Sequence, residues 1–87
     1  MSKISVKPID SKTFEVTVEA NSTTVHIVTI SADYLKKIGA DASNIEGLIQ
    51  RSFDFLLARE SNTSILRKFD LSMIAHYFPE YEKTICG

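Results

Sequence analysis

The sequence holds one cysteine, no tryptophan, three glycines and two prolines among its 87 residues. A single thiol excludes an internal disulfide framework and any multi-cysteine zinc motif. Gly39, Gly47 and Gly87 are scattered, which excludes a phosphate-cradling glycine loop. No apolar run approaches the ~18 residues that a membrane span needs. No apolar secretory core follows Met1, so the expected compartment is the cytoplasm. A surplus of one charge is missing too: ten basic residues face eleven acidic ones. Residues 1–43 carry five of each sign, and residues 44–87 carry five basic and six acidic. Neither half is a basic arm or an acidic tail, and a dedicated binder of phosphate backbones normally has a basic excess.

What is present is enough for a core. Ile, Leu, Val and Phe total 26 residues, well above the roughly 20% below which chains stay disordered. The length fits a single domain over residues 1–87. Its first part alternates. Ile4 and Val6 stand against Lys3, Ser5 and Lys7, and Pro8 suits a strand end or edge. Asp10-Ser11-Lys12 supplies a turn. Phe14, Val16 and Val18 then oppose Thr13, Glu15, Thr17 and Glu19. After a turn at 20–22, residues 23–30 are rich in β-branched side chains. These three strands predict an antiparallel meander. The third is apolar on both faces, with His26, Val28 and Ile30 on one and Val25 and Ile27 on the other. Helices can cover one face only, which leaves Val25 and Ile27 for solvent or a partner.

The second part reads as helical. Ser31 caps a short helix at 32–38, and Gly39 stops it. Ser43-Asn44-Ile45-Glu46 has the form of a capping box and opens a central helix at about 44–60. Its apolar residues, from Ile45 to Leu57, span a wide arc, so this helix should touch the sheet and later helices together. Short helices are expected at 64–69, at 71–77 with Asp70 as N-cap, and at 79–85 from Pro79. The expected fold is α+β: a three-stranded meander followed by a helical layer. Tyr77-Phe78-Pro79-Glu80-Tyr81 forms an aromatic knot in which Phe78 should plug the core and the tyrosine hydroxyls should stay wet.

No catalytic constellation emerges. His26, His76 and Cys86 match no local metal spacing, and His26 is expected on a strand with its ring hydrogen-bonded. There is no Gly-x-Ser-x-Gly elbow. No metal, cofactor or membrane is expected as a ligand. Arg51, Arg59, Arg67 and Lys68 form the one basic cluster, with Asp54, Glu60 and Asp70 among them. Three readings follow. The first is a non-enzymatic interaction or regulatory module, a homodimer joined at Val25 and Ile27 or bound to another protein. The second is a nucleic-acid-associated regulator, the small partner of a two-gene system, using the basic cluster. The third is a small metal-dependent enzyme.

The stretches Ser52–Glu60 and Ser64–Leu71, with Ile74 and Tyr77-Phe78-Pro79-Glu80-Tyr81-Glu82, carry a resemblance. They resemble a family of small uncharacterised prokaryotic proteins of about this length. Its members have N-terminal strands like Thr13–Val18 and end in a similar tyrosine–phenylalanine–proline segment. The resemblance implies a prokaryotic cytoplasmic protein. It implies no activity, so no functional residue is carried over from it.

Overall fold

The alternation at the N-terminus builds a sheet. The structure is a computed structural model that describes residues 3–39 and 44–86. Strands β1 (Lys3–Pro8), β2 (Thr13–Glu19) and β3 (Thr23–Thr29) form the antiparallel meander. At the first turn Asp10 accepts the Lys12 N–H at 2.8 Å. Phe14, Val16 and Val18 are buried on one face of β2, and Thr24, His26 and Val28 on the same face of β3. The other face sets Lys7, Glu15 and Ile27 in one row and Ser5, Thr17 and Val25 in the next.

Helix α1 (Ala32–Ile38) follows. The Ser31 hydroxyl accepts the Tyr34 N–H at 3.1 Å, and Gly39 closes the helix at φ 68°. A left-handed residue is cheap only for glycine. Helix α2 (Ile45–Leu57) is the central element. Ser43 of the expected capping box lies outside the described residues. The helix ends at Leu57, with its apolar pattern and short of the expected residue 60. The N–H groups of Arg59 and Glu60 both converge on the Leu56 carbonyl, which tightens and finishes the last turn. The wide apolar arc has the expected effect. Phe53 packs between His26 and Phe69, with ring centroids 5.4 and 6.0 Å away. Phe55 meets Phe78 and Tyr81 edge-on.

Residues 64–69 are not a helix. A 3-10 turn at Asn62–Ser64 leads into strand β4 (Lys68–Asp70), which pairs parallel to β3. The sheet therefore has four strands in the order β1-β2-β3-β4. The Ile65–Phe69 spacing fits one helical turn, but the backbone finds better partners on the open edge of β3. The Ile27 N–H donates to the Arg67 carbonyl at 2.7 Å, and the Leu71 N–H to the Thr29 carbonyl at 2.8 Å. Helices α3 (Ser72–Tyr77) and α4 (Tyr81–Cys86) complete an α+β fold. Helix α3 starts one residue later than expected, with Leu71 and not Asp70 at its N-cap position, and the Asp70 carboxylate takes the Ser72 N–H at 3.1 Å and its hydroxyl at 2.6 Å. Helix α4 starts two residues after Pro79, at Tyr81.

The aromatic knot is built differently from its expected form. Tyr81, not Phe78, is the plug: it is fully buried, while Phe78 is half-buried and Tyr77 exposed. The Tyr81 hydroxyl is dry and lies 2.6 Å from that of Ser52. The Ser52 hydroxyl donates to the Leu48 carbonyl at 2.7 Å, so Tyr81 donates to Ser52. Ser52 sits on the apolar face of α2, one turn from Leu48 and from Leu56. A lone serine within that stripe was the available signal that a buried polar group would meet it.

Candidate docking groove

The C-terminal end of α2, the 64–66 segment, β4 and α3 enclose a groove of about 380 Å³. Leu56, Ile65, Phe69 and Ile74 form its buried floor. Met73 and Phe78 are half-buried along its wall. Leu66 and Tyr77 rim it and are 50% and 61% exposed, the largest such exposures here besides Ile9. Among the described residues, Glu60 is the one charged residue in the lining. Among them, too, no ion-pair or hydrogen-bond partner meets the carboxylate of this half-buried residue. The cation next to it in sequence is committed elsewhere. The Arg59 guanidinium lies 3.6 Å over the Phe55 ring and 3.5 Å from Glu80.

A buried polar network holds one wall of the groove in place. His26 is fully buried, and its Nδ1 lies 2.8 Å from the Leu66 carbonyl. A carbonyl only accepts, so Nδ1 carries the proton. Nε2 then accepts from the Thr24 hydroxyl at 2.8 Å. The Asn62 amide donates to Thr24 Oγ1 at 3.0 Å and to the Ser22 carbonyl at 2.9 Å. Every hydrogen is used with the imidazole neutral. Burial pushes the His26 pKa down, and nearby Arg67 adds to this against the Leu66 carbonyl. Thr24 and His26, polar at two inward positions of one strand, were the sign that a polar partner from elsewhere must meet them.

The other sequence-predicted residues fall in separate places. Val25 is 43% exposed on the outer sheet face and Ile27 is half-buried beside Lys68. Arg51 and Arg59 are on or just after α2, where both line a shallow cleft with Thr84 and Ile85 of α4. Arg67 and Lys68 belong to the β4 edge instead. His26 is in the core, and His76 is exposed on α3 with its ring against Tyr77. Among the described residues no group of three or more His, Cys, Asp or Glu is placed to hold a metal ion. Among them, too, no helix is long and apolar enough to cross a membrane. No family model matches the chain, and no curated protein or solved structure matches it either.

Proposed function

We propose that this chain is a non-enzymatic interaction module of a prokaryotic cytoplasm and that it docks a partner in the groove between α2, β4 and α3. The observation that carries this reading is the pairing of an apolar floor with two large exposed apolar side chains, Leu66 and Tyr77, on its rim. Exposed apolar surface gathered around a concavity marks a binding surface more strongly than scattered exposure does. Met73 adds an adaptable wall, and tyrosine is a favoured interface anchor. The test is chemical-shift mapping with a short neutral apolar peptide, acetyl-Leu-Leu-Gln-amide. Shifts should gather at Leu66, Phe69, Met73 and Tyr77. No shift at the groove with millimolar concentrations of either this peptide or acetyl-Leu-Leu-Arg-amide removes this reading.

Self-association across the outer sheet face, as a homodimer, is the second reading, and the exposure of Val25 favours it. Ser5, Thr17, Lys7, Glu15 and Lys68 surround Val25 and Ile27, so the apolar area there is small. Light scattering at micromolar protein tests it. A dimer that Val25→Lys converts to monomer supports the sheet face, and a wild-type monomer ends the idea.

A further inference from the structure

We propose that the groove takes a protein segment presenting an apolar side chain next to a cationic one, with the cation held between Glu60 and Tyr77. This rests on the groove being the docking surface. Charge is the first argument. Glu60 is a half-buried residue whose carboxylate is the one charge among the described lining residues of a mostly apolar groove, and among the described residues nothing pairs with it. An occupant that covers the groove strips water from that carboxylate. The loss is offset only if the occupant brings a positive donor. A neutral or acidic occupant leaves the carboxylate unpaired or repelled, so Glu60 also selects against such partners. The chain cannot answer Glu60 with Arg59, because that guanidinium is stacked on Phe55 and paired with Glu80. Tyr77, 61% exposed, lines the same groove and brings an aromatic ring, a group that attracts cations.

Shape is the second argument, and it selects a chain over a small molecule. A ligand contained in about 380 Å³ would meet Leu66 and Tyr77 only from within the groove that they line. An occupant that continues past the cavity covers more of these two side chains, which are 50% and 61% exposed.

Three peptides test the proposal by titration into the isotope-labelled protein: acetyl-Leu-Leu-Arg-amide, acetyl-Leu-Leu-Gln-amide and acetyl-Leu-Leu-Glu-amide. All three should shift the same groove amides. The arginine peptide should bind about threefold to tenfold more tightly than the glutamine one, as a partly screened ion pair allows. The glutamate peptide should be weakest. Added salt should narrow the differences. Glu60→Gln should equalise the arginine and glutamine peptides while amides away from the groove keep their positions. Equal affinities in the wild type, or an arginine preference that survives Glu60→Gln, would overturn the cation inference and leave groove docking standing. Absence of groove shifts with all three peptides would overturn the docking reading and this inference together.

Discussion

His26 makes the buried network pH-sensitive in a direction that can be worked out. A protonated imidazole would need a second acceptor at Nε2. Thr24 Oγ1, which already accepts from Asn62, would have to turn its hydrogen away to provide one. The folded state therefore holds the neutral ring, with its pKa depressed chiefly by burial. The unfolded ring titrates at about 6.5. Above that value the contribution to stability is complete. It falls as the pH drops from there towards the folded pKa, because the unfolded chain binds the extra proton. Urea midpoints measured from pH 7.5 to 5 should decline, and His26→Gln should flatten that segment. Asp70 acts in a lower window. Burial raises its pKa, but hydrogen bonds from Ser72 and Thr29 outweigh burial and hold it below the ordinary value. Its contribution is present above about pH 3.9 and is lost as the pH falls further. Tyr81→Phe removes the donor to Ser52 in a dry site and should cost about 1–2 kcal/mol by chemical denaturation. The cap at Ser31 and the strand place of His26 were legible in the sequence, because local chemistry fixes them. The pairing of His26 with Leu66 and of Tyr81 with Ser52 was not, since these partners lie 40 and 29 residues away.

At the level of elements, β1 and β2 were legible because they alternate over six and seven residues, and β3 because it is rich in β-branched side chains. β4 has only three residues, too few for a period of two to register against a period of 3.6. Its identity comes from the edge of β3 rather than from its own sequence. β1, at the opposite edge, is protected against pairing with other chains. Pro8 lacks an N–H, Lys3 and Lys7 are exposed, and the Gln50 amide donates to the Ile4 carbonyl at 3.2 Å. Such an edge argues against dimers formed by sheet extension through β1. The stop of α1 is equally specific. Among the described residues a Cβ at Gly39 would meet nothing within 4 Å, so the cost of Gly39→Ala is backbone strain at φ 68°. That substitution should lower stability by about 1 kcal/mol in a thermal melt.

Across the whole molecule, α2 divides the aromatic core. Phe53 serves the sheet side and Phe55 the side of α3 and α4. The groove opens where the end of α2, β4 and α3 meet, and no single stretch of sequence announces it. Val25 and Ile27 could be singled out early because one strand carries both. Leu66, Tyr77 and Glu60 could not, because three separate segments bring them together. Leu66→Asp and Tyr77→Ser act on exposed side chains and should leave the unfolding free energy from urea denaturation within about 0.5 kcal/mol of wild type. Either should abolish the peptide-induced shifts at the groove. The parallel pairing of β3 with β4 also sets an order of assembly. Ile27 must find Lys68 across a loop of about 40 residues that holds both α1 and α2, whereas the meander closes through short turns. Long closures cost entropy before any contact repays it, so the hairpins form early and β4 arrives late. Phe69→Leu should then speed unfolding in stopped-flow kinetics and barely slow folding. The groove, walled by β4, is the last surface to exist as the chain folds and the first to vanish as it unfolds.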